Sequence, residues 1–216
     1  MITRVNLVAG TLLTGFLLAA AVVGAFWTPY DPLQLDMMNR LGPPSSAHWL
    51  GTDEFGRDVL SRLMAGATAS FGIALVTVGL AIAGGTAMGL LAGIARGWAA
   101  RGISAVSDAL LAFPGILLAL ALIVIVGAGR NGIVIALAIA YLPGVMRIVR
   151  STVLSTREKE YVEASRVIGN SELYTTIAHI LPNCVSPITV LATSMFGWAI
   201  LSDSALSFLG IRVPPP

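Results

Sequence analysis

From Leu63 to Ala95 the chain carries no charged side chain. That run exceeds the roughly 20 apolar residues a helix needs to cross the hydrocarbon core of a bilayer. The charge-free stretches Val5 to Tyr30, Ala109 to Gly129, Asn131 to Met146 and Leu173 to Ser202 repeat the pattern or nearly do. The chain is 56% hydrophobic and only 11% charged, against about 25% charged residues in a soluble domain. An all-α, polytopic transmembrane helical bundle of five spans is therefore expected. The run from Leu63 is long enough that part of it is expected to tilt or to leave the core. The run from Asn131 is short, and Tyr141 with Pro143 suggests that it meets the interface and bends there.

Positive charge orients such a chain. With the amino terminus cytoplasmic, the inner segments hold Arg4, Arg96, Arg101, Arg147, Arg150, Arg157, Lys159 and Arg166; the outer ones hold Arg40, Arg57, Arg62, Arg130 and Arg212. The inner excess favours that orientation. The first apolar run exceeds the 7 to 15 residues of a signal-peptide core, so it is expected to stay as an anchor. The net charge of +2 is scattered between loops, leaving no basic patch for nucleic acid. A single cysteine, Cys184, excludes an internal disulfide, and His48 and His179 are too few for a zinc site. Each histidine is expected at the surface or in a cap.

Three regions follow: an amino-terminal anchor helix at 1–30, an outer loop at 31–65, and a helical core at 66–216. In the loop, "PYDP" and "GPP" give way to "HWLGTDEFGRDVLSRL", where Phe55, Val59, Leu60 and Leu63 have helical spacing. That segment is expected to lie along the membrane surface as an amphipathic helix.

Gly85, Gly89 and Gly93 recur every fourth residue on one helix face, so two backbones can approach closely there. Packing within the chain and contact with a partner subunit fit this equally. "GAGRNG", Gly127 to Gly132, matches the glycine pattern of dinucleotide sites. It joins two apolar helices instead of following a strand, so it lacks the required context. Asp108 and Asp203 are the carboxylates nearest hydrocarbon, where a buried charge is costly and marks a functional candidate. Asp108 is expected at the interface beside Ser104 and Ser107. Asp203 fits a solute path or gate as well as plain interfacial placement. Nothing gathers Ser, His and Asp into a hydrolytic triad.

Between two apolar runs lies "EYVEASRVIGNSELYTTIAHILPN", Glu160 to Asn183. Tyr161, Ala164, Ser165 and Ile168 share one helix face with small residues at its centre. Lys159 and Glu163 stand four residues apart. Gly169 suits a left-handed helix end, Asn170 or Ser171 a new cap, and Glu172 the positive start of the next helix, with Pro182 closing it. A helix, a sharp turn and a second short helix result. Such a face suits a partner's groove, though a solvated loop helix would look the same.

"EASRVIG" followed by "HILP" resembles the EAA loop of ABC-importer permeases: Glu163, Ala164, Ser165, then Gly169, then His179, Leu181 and Pro182. Ser165 stands where the pattern has alanine and His179 where it has isoleucine. "HWLGTDEFGRDVLSRL", "AFPGILLALALIVIVG" and "ILSDSALSFLGIRVPPP" are also similar to the dipeptide, oligopeptide and nickel permease group (the C-type branch), with Asp203 in place of the usual glutamate. The resemblance implies a type I ABC-importer permease in the bacterial inner membrane. Its cytoplasmic EAA loop, here 155–183, would dock on an ATP-binding subunit, with Glu163 making polar contact and Gly169 allowing the turn. Two ATP-binding subunits, a second permease and a periplasmic solute-binding protein would complete the system, and membrane lipid would surround it. The chain itself would hold no catalytic residue, cofactor or metal. Peptides are the expected solute, nickel or another small solute the alternative. Family members continue past "VPPP" into a sixth helix, which is expected to be missing from this sequence. A proton-coupled secondary transporter would need a buried relay, for which only Asp108 and Asp203 are at hand. A membrane anchor without transport would bind no ATPase.

Overall fold

The computed structural model describes residues 2–95 and 97–209, with the side chains of residues 2–4 excepted. Arg96, Arg212 and "VPPP" lie outside the described residues, as does the side chain of Arg4, all of which enter the charge count or the resemblance above. The helices are α1 (Ile2–Phe26), α2 (Val59–Ile94), α3 (Trp98–Leu111), α4 (Gly115–Val126), α5 (Arg130–Arg157), α6 (Glu160–Val167), α7 (Glu172–Thr175) and α8 (Leu181–Phe208). Among the described residues four helices are long and apolar enough to cross a membrane, or five if α3 and α4 together make one span.

The chain forms two compact units, 1–72 and 73–216. In the first, α1 is apolar around its whole circumference and largely exposed, as lipid-facing helices are. It touches the start of α2 closely: a Cβ on Gly24 would lie 2.6 Å from the Met64 carbonyl oxygen. The Thr68 hydroxyl donates to the Ala21 carbonyl at 2.7 Å. Between these helices the chain makes turns, a short 3-10 turn at Met37–Asn39 and a bridge pairing Thr52 with Asp58. The expected amphipathic helix is not formed through Phe55, which lies in a turn before α2 begins. The cause is Asp53, whose carboxylate accepts from the N–H groups of Phe55 (2.8 Å) and Arg57 (3.0 Å) and closes a tight loop instead. Helix starts only where Asp58 caps it, accepting from the Ser61 N–H at 2.8 Å.

His48 is no free surface group. Its Nδ1 lies 3.0 Å from the buried Asp58 carboxylate, and its ring packs 4.7 Å from that of Tyr30. The Ser61 hydroxyl also donates to Asp58, at 2.6 Å. His and Ser thus hold one carboxylate between them, an arrangement that braces the loop and activates no nucleophile.

In the second unit the glycine stripe meets a valine stripe. A Cβ on Gly85, Gly89 or Gly93 would fall 2.5, 2.7 or 2.6 Å from a side-chain carbon of Val145, Val149 or Val153. Both series ascend together, so α2 and α5 run parallel with their backbones in close approach. Two parallel spans need a return crossing between them. Among the described residues between them only α3 and α4 are available, and they meet at a bend of 101°. The run expected as one span from Ala109 to Gly129 is therefore broken: Pro114 disfavours helix at Phe113, ending α3 and restarting the chain as α4. With only 12 residues, α4 is too short to cross alone.

The short run from Asn131 is likewise corrected. Helix α5 passes through Pro143 and continues to Arg157, making 28 residues. Arg147 and Arg150 thus ride on the last turns of a span and not in a loop. The Tyr141 hydroxyl lies 2.9 Å from that of Ser202 in α8. Helix α8 runs antiparallel to α5, and Val145, Val149, Val153, Val162, Ile180, Cys184 and Ala199 close the core between them.

Candidate functional site

The segment from α6 to the start of α8 is built around a buried knot. Lys159 precedes α6 as its cap, with its ammonium 5.8 Å from the Tyr161 ring centroid. Val162 and Ser165 point inward, Val162 into the core cluster. The small residues therefore do not share the outer face, as their spacing suggested. Ala164 is exposed, while the Ser165 hydroxyl sits 3.1 Å from that of Thr175 and accepts from Asn170 Nδ2, also at 3.1 Å.

The turn closes as the sequence predicts. Gly169 has φ +95°, its N–H reaches the Arg166 carbonyl at 3.0 Å, and the Asn170 N–H reaches the Ser165 carbonyl at 3.2 Å. That pair of bonds is the Schellman ending. Of the two candidate caps, Ser171 is the one used; its hydroxyl accepts from the Tyr174 N–H at 3.2 Å. Glu172 receives both Nε and Nη2 of Arg166, at 3.1 and 3.0 Å. This fork holds the two short helices at a fixed angle.

Pro182 does not close the second helix. The chain passes through a π turn, Thr176–Ile180, where the Leu181 N–H bonds the Thr176 carbonyl, and Pro182 lies in the first turn of α8. A proline is tolerated there because first-turn N–H groups lack helical partners, and the wider π turn relieves its contact with the preceding turn. His179 sits on this turn between two tyrosines, its ring centroid 6.3 Å from Tyr161 and 6.1 Å from Tyr174. Leu181 is half-buried and Pro182 exposed.

The outward side carries Tyr161, Glu163, Ala164, Gly169, Leu173, Tyr174 and Ile177. Val167 and Ile168 are 81% and 80% exposed there. This is a largely apolar face that includes the Glu163 carboxylate, mounted on a segment whose inner side holds the bonds that join Ser165 to Thr175 and Asn170.

The other candidates fall elsewhere. Asp108 pairs with Arg147 Nη2 at 2.9 Å, both 64% exposed. Asp203 is only 5% exposed, packed within the chain near the end of α8. Gly127 and Gly129 take positive φ and link α4 to α5. No group of three or more His, Cys, Asp or Glu among the described residues could hold a metal. The inward roles of Thr175 and Ser165 escaped the sequence, since Thr175 falls in no motif and Ser165 read as a substituted alanine.

Residues 85–215 match the model of the family described as "Binding-protein-dependent transport system inner membrane component". The chain belongs to this family. It is 42% identical to the glutathione transport system permease protein GsiD of Pectobacterium atrosepticum over 97% of its own length and 70% of that protein. It is 39% identical to the dipeptide transport system permease protein DppC of Alkalihalophilus pseudofirmus, over 99% and 70%. With the di/tripeptide transport system permease protein DppC of Pseudomonas aeruginosa it shares 41%, over 96% and 71%. This inner-membrane component is thus an ABC-importer permease of the group that "EASRVIG" and "HILP" resemble, a multi-pass transport component and not an enzyme. Binding-protein-dependent systems work with a solute-binding protein and an ATPase.

Proposed function

We propose that this permease forms half of the solute path of an ATP-driven importer of small peptides, and that residues 155–183 dock on an ATP-binding subunit. The observation that carries this reading is the outer face of α6 and α7. Val167, Ile168, Leu173, Tyr174 and Ile177 are exposed together on the outer side of a segment whose inner side packs into the chain's own core through Val162 and Ile180. Such an apolar patch beside a carboxylate is a protein-binding surface. Glu163 supplies the polar contact, and Gly169 the turn that presents it. Ala164, Leu181 and Pro182 complete the docking surface, and His179, wedged between its two tyrosines, stiffens it. Asp203 is assigned to the path or its gate. The peptide solute is taken from the names of the relatives.

The amino terminus is placed in the cytoplasm. Residues 1–30 then anchor the chain, 31–65 form the periplasmic loop, and 66–216 make the permease core. With the amino terminus in the cytoplasm, parallel α2 and α5 joined by α3 and α4 fit a cytoplasmic position for the ends of both spans and for residues 155–183. Two ATP-binding subunits, a second permease and a periplasmic solute-binding protein complete the assembly. Copurification of the assembled system tests the docking. Glu163→Arg and Gly169→Pro are expected to lose the ATP-binding subunit while the permease pair stays in the membrane; undiminished capture with both variants would refute it.

A further inference from the structure

We propose that Arg157 is a positioning residue that ties the docking segment to the end of α2, so that the two move as one body when the ATPase closes. It rests on the docking reading above and goes beyond it by naming the link.

Arg157 is the last residue of α5, and its side chain is only 15% exposed. One arm of the guanidinium, Nη1, donates to the Gly93 carbonyl at 2.6 Å and lies 3.4 Å from the Ile94 carbonyl. These are the final carbonyls of α2, which have no helical partner and form the negative end of its dipole. The other arm, Nη2, lies 3.5 Å from Glu172 Oε1, the carboxylate that Arg166 already grips. One planar group thus joins α2, α5 and α7, and through Glu172 also α6. A guanidinium suits this because its donors point in fixed directions. The glycine stripe brings α2 within reach: Gly93 packs on Val153, four residues before Arg157. Without the bridge, the segment would keep its apolar packing through Val162 and Ile180 but lose the polar tie that fixes it to the end of α2. An applied displacement would then be absorbed at the turn instead of reaching the span.

The test uses the complete transport complex with spin labels at Leu91→Cys in α2 and Glu160→Cys in α6, both exposed positions. Cys184 is buried and escapes the label. Between the nucleotide-free and vanadate-trapped states, the label distance is expected to stay within ~2 Å in the parent. It is expected to change by ~5 Å, about one helical turn, in Arg157→Gln and in Glu172→Gln. The double variant is expected to move no further than either single one, since one link is being cut. Constant distances in both single variants, with ATP-binding subunits still captured, overturn the link alone. Glu163→Arg run in parallel separates the two readings: full capture by that variant overturns the docking reading and the link with it. Should Arg157→Gln fail to assemble, Glu172→Gln decides by itself, because it leaves the Arg157 bond to Gly93 in place.

Discussion

Gly89 of α2 lies so close to Val149 of α5 that a Cβ on the glycine would sit 2.7 Å from the valine's own Cβ. No real pair of side-chain carbons tolerates that distance, and both partners belong to helices locked by neighbours on the same stripe. Gly89→Leu is expected to destabilise the folded permease by about 1–3 kcal/mol, the range for overpacking. Gly79→Ala, with nothing within 4 Å of its added carbon, should leave stability near the parent. Thermal unfolding in detergent, followed by size-exclusion chromatography, would distinguish them; equal losses would contradict the packing.

Ser165 and Thr175 share one buried bond, which Asn170 joins. Thr175→Val leaves Ser165 with a single partner, and Ser165→Ala restores the alanine of the EAA pattern but strands the Thr175 hydroxyl. Each should cost about 1 kcal/mol. Amide exchange at Gly169 to Glu172 should quicken several-fold in both variants, and no further in the double variant. Unchanged exchange would mean that the Schellman bonds alone hold the turn.

The loop that replaces the expected amphipathic helix should fail in acid. Burial works to raise the Asp53 carboxyl, but the N–H groups of Arg57 and Phe55 and the Arg57 guanidinium overcome it and lower the value from 3.8 to about 2. A carboxylate depressed on folding contributes stability that is complete above the unfolded value and lost as pH falls through the folded one. The loop is therefore expected to loosen as pH drops from ~4 towards 2. Fluorescence of Trp49, which lies within this loop, would follow the change. In Asp53→Asn the acid transition should shrink to what Asp36 and Asp58, whose carboxyls are also held below the usual value, contribute, with a looser loop at neutral pH.

Tyr141 and Ser202 join α5 to α8 through their hydroxyls. Tyr141→Phe and Ser202→Ala should each destabilise the bundle by about 0.5–1.5 kcal/mol. Because both remove the same bond, the double variant should cost less than the two added together. Additive losses in denaturant unfolding would mean that the hydroxyls act separately.

The EAA segment was legible where its signals are local. A glycine six residues after Glu163 and a serine two further on specify a Schellman ending and a cap without help from the rest of the fold. Pro182 misled because its usual reading as a helix stop assumes an α-helical turn before it, and here that turn is π. Similarly, charge bounded the runs in sequence, so Arg147 and Arg150 hid the true length of α5. Arginine tolerates the last turns of a span because its long stem carries the guanidinium towards an interface or a partner.

What the sequence by itself determined is what depends on near neighbours and on solvent. Long apolar runs demand membrane helices, the excess of inner cations favours one orientation, and the spaced motifs identify the permease family. What only the tertiary structure decided is who meets whom. The glycine stripe could have faced another subunit, yet it receives the valines of α5. Ser165 turned inward because Thr175, ten residues away, completes its bond. Arg157 looked like one more inner cation until packing brought the end of α2 against it. Such pairings join residues far apart in the chain, and only close-packed helices set their distances.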